Sequence, residues 1–152
     1  MSRPPITAWH GPAGCGPAVE GIAIVSHHGF NARYDLDRER GTFSRPGHDL
    51  FGESPAGRIY VFTTPKGGIA TSWALLDLRE RGLAPLALVC RRANPVVWQG
   101  AVLAGMPMID RLNEDPVTQL RSGDRVRLDP QAGTLELLER GSMNPLPRMK
   151  GP

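Results

Sequence analysis

Two cysteines in 152 residues, Cys15 and Cys90, are too few to cage a metal ion by themselves, and their neighbours show no ligand spacing. No apolar run approaches the ~20 residues that cross a bilayer. Met1-Ser2-Arg3-Pro4-Pro5 has no apolar segment of the secretory kind. A reducing, cytoplasmic setting without a membrane partner is therefore expected. Charge of one sign is scarce as well. The 18 Lys+Arg against 15 Asp+Glu leave a net +3, and Arg91-Arg92 is the only adjacent basic pair. A nucleic-acid binder would show a basic stripe or a known module, so nucleic acid is not an expected partner. Missing too is a nucleophile, base and orienting group in one constellation, as hydrolases need. If the chain takes part in catalysis, other groups come from elsewhere.

What it has in quantity is glycine and proline. The 18 Gly and 15 Pro exceed a fifth of the residues, which means many turns and short elements. That composition suits a mixed α/β body with long functional loops and excludes a helical bundle or coiled coil. The length fits one domain, since domains run to about 100–150 residues. A chain of this size buries roughly 70% of its unfolded surface and needs no disulfide or metal to hold it. Residues 1–17 and 141–152, rich in Pro and Gly, read as a flexible arm and tail around a domain over 18–140.

Within 18–140 the pattern is regular. Val19 to Val25 is β-branched and reads as a strand, and Arg58 to Thr64 as a strand buried on both faces. Pro65-Lys66-Gly67-Gly68 breaks that strand. Ile69 to Arg81 follows as a helix stopped by Gly82. Ala84 to Cys90 is a third buried strand, and Asn94-Pro95 opens a second helix that runs to about Leu103. A short strand at Met108-Ile109 and a helical turn over Pro116 to Leu120 follow. The alternating Arg125 to Asp129 and Thr134 to Leu138 then form a hairpin. This order implies an α/β fold with a parallel sheet and an antiparallel edge. Ser26 to Gly57 lacks periodicity and reads as a functional loop, an Ω-loop or a hidden strand pair.

The strand-to-helix turn Pro65 to Ser72 is the most informative stretch. Gly67 and Gly68 let a ligand approach the backbone, and the helix start beyond them offers free N–H groups and a positive dipole end. Lys66 adds a charge; Thr71 or Ser72 adds a hydroxyl. The same residues fit an anion site and a capped tight turn equally, and the P-loop order is absent. Adjacent His27 and His28 cannot aim at one ion from a strand, and a surface loop accounts for them and for His48. His48-Asp49 fits an acid/base pair or an Asx-type turn at Gly47. Arg33 and Asp35, on the long loop, fit a functional role or a solvated salt bridge. Trp73 and Trp98 read as core or interface anchors, Cys90 as a small hydrophobe and Cys15 as part of a mobile arm.

Taken in order, these residues resemble a family. Phe30-Asn31-Ala32-Arg33-Tyr34-Asp35, then Gly41, then His48-Asp49-Leu50-Phe51-Gly52-Glu53-Ser54-Pro55-Ala56-Gly57-Arg58 is similar to the swivel domain, or small subunit, of aconitase X. In that family a loop ending in Asp precedes a Gly, a His-Pro-Leu-x-Gly segment, a strand, a Gly-Arg-Gly-Ser turn and a helix. Lys66-Gly67-Gly68 matches the turn, Ser72 a second serine and Leu75-Leu76-Asp77-Leu78 the helix. Ala84 to Val89, Asn94-Pro95 with Gly100-Ala101-Val102, and Gly123-Asp124-Arg125-Val126 with Gly133 also match, so the likeness runs from about Glu20 to Leu138.

The resemblance implies a swivelling β/β/α domain that closes over a separate large catalytic subunit. An iron–sulfur cluster is expected in that subunit, none in this chain. The implied activity is dehydration of a small hydroxy acid, mevalonate 5-phosphate in archaea or cis-3-hydroxy-L-proline in bacteria. The Gly, Arg and Ala usage points to the second. Such a reaction needs a base for a proton beside a carboxylate and a Lewis acid for the departing hydroxyl. Lys66, Gly67, Gly68 and Thr71, with Arg33, Asp35 and His48, are the expected substrate-binding residues. Two positions depart from the family. Its first turn serine, the base position, is Gly68 here, so Ser72 or the partner would supply the base. Its turn arginine is Lys66, a point charge without the guanidinium fork. The alternative is a non-catalytic small-anion-binding or regulatory module that uses the same Gly-rich turn.

Overall fold

A computed structural model of the chain describes residues 4–141, without the side chain of Arg33. Its elements follow in the order β1 (Thr7–His10), β2 (Val19–Val25), α1 (Ala32–Asp35), β3 (Leu36–Asp37), β4 (Thr42–Phe43), β5 (Ile59–Phe62) and α2 (Ala70–Glu80). Then come β6 (Ala87–Cys90), α3 (Pro95–Leu103), β7 (Met108–Asp110), α4 (Pro116–Gln119), β8 (Arg125–Asp129) and β9 (Thr134–Glu139). Seven strands make one sheet in the order β1-β9-β8-β2-β5-β6-β7. The run β2-β5-β6-β7 is parallel, and β8, β9 and β1 add to it antiparallel. This is the expected mixed α/β architecture, with the sheet curled on itself.

The strand period of two sorts side chains between two cores. On β5, Tyr60 and Phe62 face α2 and α3, while Ile59 and Val61 face the other way. On β6, Leu88 and Cys90 join the first group and Ala87 and Val89 the second. The second core is closed by Val126, Leu128, Leu135 and Leu137 from the hairpin, by Val117 and Leu120 around α4, and by Trp9. Both faces of the central strands are thus covered, which is why their sequences are continuously apolar. No helix among the described residues is long and apolar enough to cross a membrane.

The expectation of a flexible arm over 1–17 is corrected for the described part. Thr7–His10 pairs with β9, from Thr7 opposite Leu137 to His10 opposite Thr134, and Trp9 is buried. Cys15 is fixed as well: its N–H donates to Met108 O (3.0 Å) and Met108 N–H to Cys15 O (2.9 Å). Except for Gly141, the tail expected at 141–152 lies outside the described residues. Of the three readings of Ser26 to Gly57, the strand pair is the one found. β3 and β4 bring Leu36 opposite Phe43, and Phe43 and Leu50 fold down onto the α2 side of the core.

Helices α2 and α3 touch closely at one point. A Cβ on Gly100 would lie 2.8 Å from Ser72 Cα and 3.1 Å from Leu75 Cδ1. Alanine there gains about 1 kcal/mol of helix propensity, but overpacking against backbone costs about 1–3 kcal/mol. Gly100→Ala is expected to lose about 1 kcal/mol net, read as a lower urea midpoint at unchanged slope.

Candidate functional site

Parallel strands β2 and β5 leave the sheet side by side. Ser26 N–H donates to Val61 O (2.8 Å), Phe30 N–H to Thr64 O (2.9 Å) and Lys66 N–H to Phe30 O (2.7 Å). Segment 26–31 is thereby held along 61–66, at the carboxyl edge where open α/β sheets present ligand sites. The Gly-rich turn forms the rim. Gly67 has φ +96°, a left-handed conformation that suits glycine, and a Cβ there would sit 3.1 Å from Thr71 Oγ1. Gly68 faces open space. Lys66 is exposed and makes no ion pair among the described residues; its stem passes so close to Gly29 that a Cβ there would lie 2.7 Å from Lys66 Cε.

No side chain caps the start of α2. By contrast, Asn94 caps α3 by accepting from Val97 N–H, and Asp115 caps α4 through Val117 N–H. The start of α2 thus has no side-chain cap and Lys66 lies just before it, while Thr71 N–H and Ser72 N–H are donated to Gly68 O (2.9 Å) and Ile69 O (3.1 Å). The hydroxyls, however, are committed elsewhere. Thr71 Oγ1 donates to Lys66 O (3.3 Å) and closes the turn. Buried Ser72 donates from Oγ to Val96 O (2.7 Å) and ties α2 to α3. Ser72 is therefore a packing residue in this fold, which corrects its expected place at the ligand.

His48 and Asp35 are not on a solvated loop either. Asp35 is 2% exposed and accepts from Asn31 N–H (2.9 Å) and Arg45 Nε (2.6 Å), so its ion-pair partner is Arg45. The Arg33 side chain lies outside the described residues. The ring of His48 is buried, stacked on Phe43 with centroids 4.6 Å apart. Its Nδ1 accepts from Leu50 N–H (3.0 Å), which leaves the neutral ring's proton on Nε2, 3.9 Å from Asp35 Oδ2. Loop packing on Phe43 supplies this burial, and sequence spacing does not reveal it. His48 Nε2 and Tyr60 Oη are the buried side-chain polar atoms without a hydrogen-bond partner among the described residues. Burial, and then the charges of Asp35 and Asp49, push the Tyr60 hydroxyl well above its usual range.

Burial lowers the His48 pKa from its ordinary 6.5, against the pull of Asp35 and Asp49. The unfolded chain then binds the proton more readily, so stability is full above pH 6.5 and is lost as the pH falls towards the folded-state value. His48→Asn, which keeps an acceptor for Leu50 N–H, is expected to flatten the decline. Denaturation of both proteins between pH 7.5 and 5 checks this.

Asp49 is the feature whose role was least visible in the sequence. Ser26 Oγ donates to its Oδ1 (2.7 Å) and His27 N–H to its Oδ2 (2.7 Å). Nδ1 of His27, His28 and His48 lie 3.7, 3.9 and 3.3 Å from the carboxylate. Burial alone would raise its pKa, but these two hydrogen bonds and the nearby histidines hold it lower than usual. The available signals were the carboxylate in the His48-Asp49-Leu50 segment and the histidine pair at the end of β2. Donor atoms of His28, His48 and Asp49 come within 4.8 Å of one another, closer than spacing within the His27-His28 pair suggested. Yet His48 Nδ1 and both Asp49 oxygens already accept hydrogen bonds, so a cation would have to displace them.

The two thiols do not fit an iron–sulfur cluster. Burial pushes both up; Cys90 lies buried within β6, and Cys15 Sγ donates to Met106 O (3.7 Å). At the start of α2, in contrast, apolar Ile69 (64%) and Trp73 (59%) are exposed, as are Tyr34 (62%) and Phe51 (59%) elsewhere on the chain. Ile69 and Trp73 are four residues apart at the start of α2 and share one face. Trp73 is therefore not a core residue, while Trp98 packs half-buried against the core.

The sequence profile of the aconitase X swivel domain matches residues 8–137. The chain is 36% identical over 123 residues to the phosphomevalonate dehydratase small subunit of Methanocella arvoryzae, covering 81% of this chain and 93% of the relative. It is 37% identical over 125 residues to the subunit of that name in Pyrococcus horikoshii, covering 82% and 91%. In three dimensions it is similar to a crystal structure of Thermococcus kodakaraensis aconitase X in its holo-form. The TM-score is 0.82 at 32% identity, over 88% of this chain and 99% of that one.

Proposed function

Because the chain belongs to the aconitase X swivel-domain family, as a subunit of an aconitase X-type hydro-lyase, we propose that it completes the site of a dehydratase for a small hydroxy acid. A separate large catalytic subunit is its partner. The observation that carries this reading is the uncapped N-terminus of α2, with Lys66, Gly67 and Gly68 around it and apolar Ile69 and Trp73 beside it. The turn holds the substrate carboxylate, and its N–H groups and Lys66 stabilise the negative charge that grows there when the neighbouring carbon loses its proton. Ile69 and Trp73 dock on the large subunit, and closure of the swivel domain excludes water.

Asp35 and His48 act from behind, by fixing the loop that borders the turn, and Thr71 by closing the turn itself. Arg33, two residues after Asn31 in the sequence, is kept in this reading as a further substrate-binding residue. The iron–sulfur cluster of such an enzyme belongs in this reading to the large subunit.

Both candidate substrates, cis-3-hydroxy-L-proline and mevalonate 5-phosphate, have a hydroxyl one carbon away from a carbon that bears the carboxylate. The relatives' names point to the second. The uncapped start of α2 takes the carboxylate that both acids carry, and the phosphate of the second would be held by the partner. The test is co-expression with a large subunit encoded nearby, followed by assay of both acids. A stable, iron-absorbing complex that dehydrates one of them, with the isolated chain inactive, is expected. Tight binding of a small anion by the chain alone, without assembly, would instead establish the non-catalytic binding module.

A further inference from the structure

The turn that holds the acid has no group of its own to take a proton. Gly67 and Gly68 have no side chain, Lys66 is a cation, and the hydroxyls of Thr71 and Ser72 are donated to Lys66 O and Val96 O. Next to the turn lies a histidine beside an anchored carboxylate. We propose that His28 is the proton acceptor of this site and that Asp49 is its positioning residue. The inference rests on the hydro-lyase reading above.

Three observations carry it. First, the location is fixed by backbone: Thr63 N–H donates to His28 O (3.4 Å), and the next residue, Gly29, lies under the Lys66 stem. Second, Asp49 is immobilised by Ser26 Oγ and His27 N–H, with Oδ1 3.9 Å from His28 Nδ1. A small rotation of His28 brings that nitrogen into hydrogen-bond range, and catalytic contacts are commonly long before substrate binds. Third, His28 is 39% exposed whereas His48 is sealed, and His28, unlike the more exposed His27, directly precedes the glycine that Lys66 covers. With Nδ1–H turned to Asp49, Nε2 is left as the free base.

In the reaction His28 Nε2 takes the proton from the carbon beside the carboxylate. The C–H electron pair becomes the C=C bond, the C–O bond breaks, and hydroxide departs. The proton on His28 and the hydroxide leave together as one water, so no oxidant or co-reactant is consumed. The groups that face His28 are Asp49, 3.9 Å from its Nδ1, and the edge-on ring of His48 at 5.1 Å.

The test uses the complex with the large subunit and follows turnover against pH. His28→Ala is expected to assemble normally and to lose about 10²–10⁴-fold in kcat with little change in KM. Its pH profile should lose the acid limb, and added imidazole should restore part of the rate. Asp49→Asn should lower kcat with little change in KM, since the ring loses the carboxylate that orients it, and Asp49→Glu should regain part of the rate. His28→Gln, closer in size, gives the same reading if alanine disturbs the loop. Wild-type turnover and an intact acid limb in His28→Ala would overturn the proposal and leave the hydro-lyase reading standing. An assembled wild-type complex that dehydrates neither acid would overturn both.

Discussion

Lys66→Ala in the assembled enzyme is expected to lower kcat/KM by about 10- to 100-fold, or about 1.4–2.7 kcal/mol of transition-state stabilisation. The size follows from the surroundings. Lys66 has no carboxylate partner of its own among the described residues and sits beside an uncapped helix start. Its charge is thus free for a ligand, and it gains strength once closure removes water. Loss of the ammonium leaves the helix N–H groups in place, so binding weakens without collapsing. If Lys66 also stabilises the charge that develops after proton removal, kcat falls along with the rise in KM. Lys66→Arg keeps the charge and should retain most of the rate. Steady-state kinetics of the three proteins decide it; an alanine variant within twofold of wild type would remove Lys66 from the site.

A second large effect is expected at the docking face. Trp73→Asp should weaken association with the large subunit by about 30-fold or more, the scale of an aromatic anchor worth about 2 kcal/mol. The isolated chain should be hardly affected, because Trp73 is more than half exposed and its replacement opens no cavity. Ile69→Asp, on the same face, should act in the same direction. Calorimetric titration of each variant into the large subunit, alongside thermal melts of the variant alone, separates docking from folding. Wild-type affinity in both variants would move the interface to another face.

What could be read from the sequence followed the strength of the local pattern. Strands β5 and β6 are buried on both faces, and their unbroken apolar runs say so; β8 and β9 alternate because one face meets water. β1 carries one buried anchor, Trp9, among prolines and glycines, and its partner β9 lies at the other end of the chain. No local signal announces such a strand. The site divides in the same way. The Gly67-Gly68 turn and Lys66 were legible because backbone conformation and charge are local properties. The fate of a hydroxyl or an imidazole is not: Ser72 is claimed by Val96, 24 residues on, and His48 is sealed by its stack on Phe43. Asp35 pairs with Arg45, ten residues on, because β4 runs back along β3 and brings the residues after it beside Asp35. The family resemblance supplied the overall fold, whereas the carboxylate of Asp49 gained meaning only when Ser26 and His28 were seen beside it.

The most direct measurement is a titration of the purified chain into a fixed amount of the large subunit while the unsaturated acid product is followed. Dehydration should be absent without the chain, rise in proportion to what is added and level off when the two are equimolar. Full activity of the large subunit alone, unchanged by the chain, would contradict the assignment of this protein as the subunit that completes the site.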